Sequence, residues 1–223
     1  GIKKVKICFV DNTNFQYDSE SINSEKLRGA ETVLINITKE LNLLGNDITV
    51  INNCSTSRKI ENINWVNINK IKNADYFDLV IANGDSNLFK YAKSNNNILF
   101  SHSLQSLEKF IRKKQLLSYL KHKPVLILEG EFHLKNRSFI TSFFGKKILK
   151  LAPDYEFISE SIDVDFIPPK NCIFTTKSDR NLHILINAWE KIFLSNKNAK
   201  LYINPPFNLN QYQSNQNIFL REK

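Results

Sequence analysis

Apolar residues recur along the chain in short continuous runs that alternate with stripes at helical spacing. Continuous runs of this kind predict strands buried in a parallel sheet, at residues 5–10, 48–51, 77–82, 98–100, 125–128 and 148–151. A helical stripe from Ala30 to Leu44, ended by Gly45, predicts a helix between the first two strands. The order strand–helix–strand predicts a right-handed crossover in a doubly wound α/β sheet of Rossmann type.

The segments between the predicted strands differ in character. Residues 11–27 are polar and aperiodic, which predicts a long loop, and residues 65–68 and 86–92 predict a short strand and a short helix. Residues 105–123 predict one basic amphipathic helix, and residues 139–144 a short aromatic helix whose rings we expect in the core. A basic amphipathic helix favours either peripheral contact with an anionic membrane or a core-facing helix with a solvated basic side, the simpler interpretation.

The C-terminal part repeats the strand–helix–strand order. Apolar runs at residues 172–174 and 201–203 flank a helical stripe that begins at Leu182. The stretch before it ends in Pro168 and Pro169, a stiff connector suited to a domain boundary. We therefore predict an N-terminal Rossmann-like domain over residues 1–165 and the start of a second, incomplete Rossmann-like domain over residues 166–223.

Composition limits the partners. The formal net charge of +9 favours an anionic partner, although we take the excess to be spread thinly along the chain, where compositional bias is an alternative cause. The three cysteines, Cys8, Cys54 and Cys172, lack metal-ligand spacing and predict reduced thiols in a cytoplasmic protein. No run of apolar residues reaches the length of a membrane span.

Several enzyme signatures are absent from the sequence. It contains no Gly-Lys-Ser/Thr phosphate loop, no G-x-G-x-x-G after the first strand and no G-x-S-x-G elbow. A P-loop hydrolase, a dinucleotide oxidoreductase and a serine hydrolase are therefore disfavoured.

Two cations stand between a strand and a helix in the C-terminal part. Lys177 and Arg180, with Ser178 and Asp179 as capping residues, precede the helix that begins at Leu182. A helix N-terminus offers unpaired N–H groups and partial positive charge, so this segment suits a phosphate or pyrophosphate. A capped helix with two solvated cations is the simpler alternative.

Two stretches, FTTKSDRNLHILINAW and RGAETVLINITKELNLLGNDITVI, resemble the "group one" glycosyltransferases of GT-B fold. In that family a strand ends in Gly-Arg or a similar pair, and a Lys-Gly and a Leu-Ile-x-Ala helix follow. Lys177 stands at the family's Arg position and Arg180 at its Lys position, while Asn181 replaces the Gly. In the first domain, Gly29 is what remains of the family's Gly pair, and Asn46 stands where His is common.

The resemblance implies a GT-B-like fold and a retaining hexosyltransferase that needs no metal and no cofactor, because the nucleotide-sugar is a substrate. It implies a glycan or lipid-linked acceptor, a place in cell-envelope glycan or lipopolysaccharide synthesis, and a cytoplasmic protein or one peripheral at the inner face of the membrane. By the same resemblance, the donor diphosphate contacts are Lys177, Arg180, Arg28 and Gly29, the catalytic residue is His102, and the acceptor-side residues are Asp11, Glu129 and Glu131.

Simpler roles for these residues stay open. Gly29 also suits a plain turn, His102 a hydrogen-bonded turn, and Glu129 and Glu131 the cap of a following helix. The family's Glu-x7-Glu segment is absent, so we expect the chain as given to be truncated and not a competent catalyst. The alternative function is a non-catalytic basic α/β module that binds nucleic acid or an anionic surface; we favour the transferase, with no specific nucleic acid as partner.

Overall fold

A computed structural model describes residues 4–24, 27–143, 146–149, 169–175, 181–203 and 218–220. The chain divides into two compact units, Gly1–Pro153 and Asp154–Lys223. The domain boundary predicted at residue 165 lies outside the described residues, as do the predicted diphosphate contacts Lys177 and Arg180.

The first unit is built on a large, mostly parallel sheet of eight strands. The strands of this sheet are β1 (Lys6–Val10), β2 (Asp47–Asn52), β3 (Arg58–Ile60), β4 (Ile63–Asn67), β6 (Leu79–Asn83), β8 (Asn97–Ser101), β9 (Val125–Leu128) and β10 (Lys146–Ile148). Two further short strands, β5 (Asp75–Tyr76) and β7 (Ala92–Lys93), pair only with each other among the described residues. The spatial order is β10-β9-β8-β6-β1-β2-β4-β3, and the β3–β4 pairing is antiparallel. The predicted α/β class is confirmed, and this strand order is consistent with a Rossmann-like fold.

Helices cover both faces of this sheet. They are α1 (Gly29–Leu43), α2 (Leu107–Arg112), α3 (Leu116–His122) and α4 (Glu131–Lys135), with 3-10 helices at Ser19–Asn23, Ile68–Lys70, Ser86–Lys90 and Phe139–Phe143. Strand residues alternate between the faces, so Ile7 and Phe9 of β1 pack with Leu34 and Ile35 of α1. Cys8 and Val10 point the other way, into a second core that contains Phe110 of α2 and Tyr119 of α3.

The link between β2 and β4 contains a hairpin and no helix. The chain passes from β2 into β3, turns at Glu61 and Asn62, and returns as β4 between β2 and β3. Both turn residues have positive φ, 47° and 65°, as a two-residue type I′ turn requires. The sequence analysis missed β3.

The predicted single helix over residues 105–123 is wrong, because two short helices occupy the segment. Between α2 and α3 the backbone of Lys114 turns left-handed, with φ of 53°. Gln115 is buried there, and its carbonyl accepts a hydrogen bond of 3.0 Å from the Ser86 hydroxyl. A buried polar anchor at this point holds the chain in a turn that a continuous helix would not allow.

Two other predictions need correction. Phe139 and Phe143 are exposed rather than in the core, because Ile140 and Thr141 are the residues of their short helix that face the sheet. The loop predicted over residues 11–27 contains the 3-10 helix Ser19–Asn23, which Asp18 caps by accepting a hydrogen bond from the Glu20 N–H.

The described residues of the second unit form three parallel strands and one helix: β11 (Asn171–Phe174), α5 (Leu182–Ser195), β12 (Lys200–Ile203) and β13 (Ile218–Leu220). The predicted strand–helix–strand order is confirmed. Leu182, Ile186 and Trp189 of α5 pack on Leu201 and Ile203 of β12, which forms a small core of its own.

We expect Leu99→Ala to lower the free energy of unfolding of the first unit by about 2–5 kcal/mol, because Leu99 is fully buried in the sheet core. Urea unfolding followed by Trp65 fluorescence, in a Trp189→Phe background, measures this unit alone. Leu44→Ala at the exposed end of α1 is the matched control and should change the value by less than about 0.5 kcal/mol. Equal effects of the two substitutions would contradict the packing described here.

Candidate functional site at the carboxyl edge of the sheet

The order in which the chain adds strands to the sheet reverses between β1 and β6. From β1 the chain builds outward to β2 and β4, and later returns to place β6 on the other side of β1, followed by β8 and β9. At such a switch point the loops diverge and leave a crevice outside the carboxyl ends of the strands, where ligands bind in open α/β sheets. Four polar side chains stand at the carboxyl ends of four neighbouring strands: Asp11 after β1, Asn83 at the end of β6, His102 after β8 and Glu129 after β9.

The buried end of the site is centred on Asp11. Its side chain accepts a hydrogen bond of 2.7 Å from the Tyr17 hydroxyl at one oxygen and one of 3.0 Å from the Asn83 amide at the other. Burial, followed by the negative charge of Asp11, raises the pKa of Tyr17, so its hydroxyl keeps its proton and acts as a donor. Asp11 therefore fixes the orientation of the Asn83 amide.

The open end of the site is centred on His102. Its Nε2 lies 2.6 Å from the Asn83 side-chain oxygen, and its Nδ1 lies 2.8 Å from one oxygen of Glu129. The Phe100 ring supports the imidazole, with centroids 4.4 Å apart. We name the continuous set Tyr17, Asp11, Asn83, His102 and Glu129 the carboxyl-edge cluster.

The hydrogen-bond roles in this cluster follow from one another. Because the Asn83 nitrogen donates to Asp11, the Asn83 oxygen faces His102, and Nε2 must be the donor. Nδ1 faces a carboxylate, which is also an acceptor. Both ring nitrogens of His102 therefore face hydrogen-bond acceptors.

Access to the cluster increases from one end to the other. Asp11 is 4% exposed, whereas the His102 and Glu129 side chains are 21% and 29% exposed. Glu129 uses one carboxylate oxygen for His102, and within the described part of the chain no hydrogen bond to its other oxygen is recorded. A ligand therefore meets Glu129 and His102 first.

A second polar group lies at the N-terminus of α1. Arg28 donates to both carboxylate oxygens of Glu31, at 2.6 and 3.2 Å, and to the Thr13 hydroxyl at 2.8 Å. Asn12, Asn14 and Phe15 complete an open pocket of about 580 Å³ with Thr13 and Arg28. Arg28 therefore borders a pocket, but it is held by a nearly buried carboxylate.

The pKa of Glu31 reflects this arrangement. Burial pushes the pKa of the carboxyl upward, but the hydrogen bonds from Arg28 and Thr13 outweigh burial and leave it below its ordinary value. A lowered carboxyl pKa contributes stability above the unfolded-state pKa, and this contribution is lost as the pH falls through the folded-state value.

The remaining predicted site residues lie around this edge. Gly29 is the first residue of α1, and a Cβ added there would meet no atom within 4 Å. Glu131 is exposed in the first turn of α4, and Gly130 rather than either glutamate is the N-cap residue of that helix. The structure thus brings Asp11, His102 and Glu129 into one cluster and places Arg28 and Gly29 together at the helix terminus.

Sequence reasoning missed Asn83 and Tyr17 as members of the cluster. Asn83 directly follows the apolar run at residues 77–82, so its position at a strand's carboxyl end was visible in the sequence. It also missed Lys109, whose Nζ donates a hydrogen bond of 2.7 Å to the Ser103 hydroxyl beside His102. Burial lowers the pKa of Lys109.

Within the described residues, no group of three or more His, Cys, Asp or Glu side chains is arranged to hold a metal ion. The cluster has two carboxylates, but one lies at its buried end and the other at its open end.

Asn83→Ala should lower the free energy of unfolding by about 1–3 kcal/mol, because it removes one hydrogen-bond partner of Asp11 and one of His102. Asn83 and Glu129 do not bond each other, so a double-mutant cycle of Asn83→Ala with Glu129→Ala tests the relay through His102. We expect an interaction energy of about 0.5–3 kcal/mol. Glu131→Ala replaces Glu129→Ala in the control cycle, and additivity in both cycles would contradict a connected cluster.

We expect Glu31→Gln to destabilise the protein most at neutral pH, with the difference from the parent shrinking as the pH falls below about 4. The reason is that Arg28 and Thr13 stabilise the ionised form of this carboxyl. Urea unfolding over a pH series measures the difference. Glu40→Gln, on the exposed side of the same helix, is the control; a pH-independent effect of Glu31→Gln would refute the assignment.

Comparison with known proteins leaves the family of the chain open. No protein-family model matches it. No curated protein matches it in sequence. What the chain does must therefore be inferred from the residues and geometry described above.

Proposed function

We propose that the chain belongs to a glycosyltransferase of GT-B type, which moves a sugar from a nucleotide-sugar donor to an acceptor hydroxyl in cell-envelope glycan or lipopolysaccharide synthesis. The observation that carries the proposal is the carboxyl-edge cluster, which crosses the switch point of a doubly wound sheet. The resemblance of the two stretches around Arg28 and Lys177 to group-one enzymes supports the same proposal.

The chemistry of the cluster suits a ligand rich in hydroxyl groups. A sugar offers neighbouring hydroxyls that both donate and accept, and carboxylate, amide and imidazole side chains in fixed orientations complement them. The open oxygen of Glu129 is an acceptor for such a hydroxyl. Because Asp11 and Asn83 hold His102 from behind, the open end needs little reorganisation to bind.

The cluster suggests a refined role for His102. Both of its ring nitrogens are engaged by protein partners, so direct contact with the donor sugar would require one of these hydrogen bonds to give way. We therefore assign His102 as a positioning residue that orients Glu129. Glu129 is the residue that contacts a hydroxyl, and Asp11 acts through Asn83.

The departing diphosphate needs positive charge, because cleavage of a glycosyl–phosphate bond leaves negative charge on the phosphate. Arg28, which also pairs with Glu31, is a cation of the first unit at the N-terminus of α1, in the pocket with Thr13 and Asn14. Lys177 and Arg180 are two further cations in the proposal, and their role comes from the resemblance. Transfer with retention and without a metal also rests on the resemblance.

Calorimetric titration with nucleoside diphosphates and nucleotide-sugars at two salt concentrations tests the proposal. Asn83→Ala should weaken nucleotide-sugar binding about tenfold and leave binding of the bare diphosphate unchanged, because the cluster contacts the sugar. The double variant Lys177→Ala/Arg180→Ala should lose both ligands.

His122→Gln, on α3 and away from the cluster, is the matched control for the titrations. The alternative function, a basic module that binds nucleic acid, predicts strongly salt-dependent binding to RNA of any sequence. Tight RNA binding together with no binding of any diphosphate or nucleotide-sugar would refute the transferase.

A further inference from the structure

One helical layer of the first unit combines exposed apolar side chains with exposed lysines and arginines. The layer consists of α2, α3, α4 and the 3-10 helix Phe139–Phe143, which we name the basic layer. All four pack on the same face of the sheet, because Phe110, Leu116, Tyr119, Leu134 and Ile140 contact one shared core. Residues on their opposite sides therefore point away from the sheet.

The outward side of the basic layer is unusually apolar. Leu117 is 82% exposed, Phe143 79% and Phe132 69%. The six large apolar side chains that it exposes are Ile111, Leu117, Leu120, Phe132, Phe139 and Phe143. Monomeric soluble proteins rarely gather exposed apolar groups in this way, and such groups mark contact surfaces.

Most of the net charge falls in the same part of the sequence. Residues 105–149, which include the layer together with β9 and β10, contain ten lysines and arginines against three glutamates, a net charge of +7 out of +9 for the whole chain. The expectation that the positive charge is spread thinly is therefore wrong. Arg112, Lys113, Lys114, Lys121 and Lys123 are exposed around Leu117 and Leu120, and Lys135 lies on α4 with Phe132.

We propose that the basic layer docks on the surface of a membrane that contains anionic lipids. Apolar side chains ringed by lysine and arginine enter the headgroup–acyl boundary while the cations meet anionic headgroups. Nucleic acid would use the cations and the exposed phenylalanine rings but leave Ile111, Leu117 and Leu120 in water, because aliphatic side chains do not offer stacking surfaces for bases. In the described part of the chain, no helix is long and apolar enough to cross a bilayer.

This docking does not depend on sugar transfer. It follows from the exposed side chains and charges of the basic layer, and Glu129, Asn83 and Asp11 take no part in it. Failure of the nucleotide-sugar titrations therefore leaves it standing, and failure of docking leaves the proposed transferase standing.

Co-sedimentation of the full chain with vesicles tests the proposal. We expect binding to vesicles of phosphatidylcholine mixed with phosphatidylglycerol, weaker binding in high salt, and little binding to phosphatidylcholine alone. Ile111→Ser/Leu117→Ser/Phe143→Ser should lower partitioning about tenfold for each side chain removed. Lys113→Gln/Lys114→Gln/Lys121→Gln should lower it about fivefold per charge.

Matched controls remove equivalent groups elsewhere. Leu43→Ser/Leu44→Ser deletes two leucines, 78% and 71% exposed, at the end of α1, which packs on the other face of the sheet. Lys59→Gln/Lys72→Gln deletes two exposed lysines outside the layer. Neither control should change vesicle binding by more than about twofold, and circular dichroism checks that every variant is folded.

A second readout reports insertion directly. In the variant Phe143→Trp, the emission of the new tryptophan should shift to shorter wavelength with the anionic vesicles and not with RNA, because only lipid removes the indole from water. Binding to RNA without binding to vesicles would overturn the proposal. So would self-association in sedimentation velocity that the apolar triple variant abolishes while vesicles fail to bind.

Discussion

The burial of Asp11 is the constraint on which the carboxyl edge depends. Burying a carboxylate costs several kcal/mol unless hydrogen-bond donors surround it. Here the two donors come from parts of the chain that are far from each other in sequence. Tyr17 reaches it from the loop that follows β1, and Asn83 reaches it from the end of β6. Both parts are therefore fixed relative to β1, and the remaining cluster is built outward from them.

The loop after β1 illustrates how far this constraint extends. Asn52 at the end of β2 donates to the Tyr17 carbonyl, and Trp65 of β4 packs edge-on against the Tyr17 ring, with centroids 6.0 Å apart. Arg58 of β3 donates to Asp18 at 2.8 Å and to Glu20 at 2.6 Å. A segment without apolar periodicity is ordered by hydrogen bonds to three strands, which explains how its pocket beside Arg28 can hold a defined shape.

The sequence revealed the fold where a single physical signal decides. Continuous apolar runs located β1, β2, β6, β8 and β9, because strands covered on both faces need apolar residues throughout. The break between α2 and α3 was not visible, since Gln115 is buried only because Ser86 lies opposite it. Phe139 and Phe143 were misplaced because apolar character alone does not say which side of a short helix meets the sheet.

The site was predictable to the same degree. Asp11, His102 and Glu129 could be selected because each directly follows an apolar run, and carboxyl ends of parallel strands share an edge. The hydrogen bonds that connect them could not be predicted, because these bonds depend on β1, β6, β8 and β9 being consecutive neighbours in space. Asn83 becomes significant only in that order, in which its side chain bridges Asp11 after β1 to His102 after β8.

The basic layer begins at the same edge as the cluster. His102 is followed by Ser103, whose hydroxyl accepts from Lys109 of α2, and the Gln105 carbonyl accepts from the Ser138 N–H. Glu129 is two residues from the start of α4. Contact of the layer with a membrane would therefore hold the open end of the cluster close to the lipid surface, where an acceptor hydroxyl carried on a lipid is found. A lipid-linked acceptor is thus the substrate that both proposals, taken together, favour.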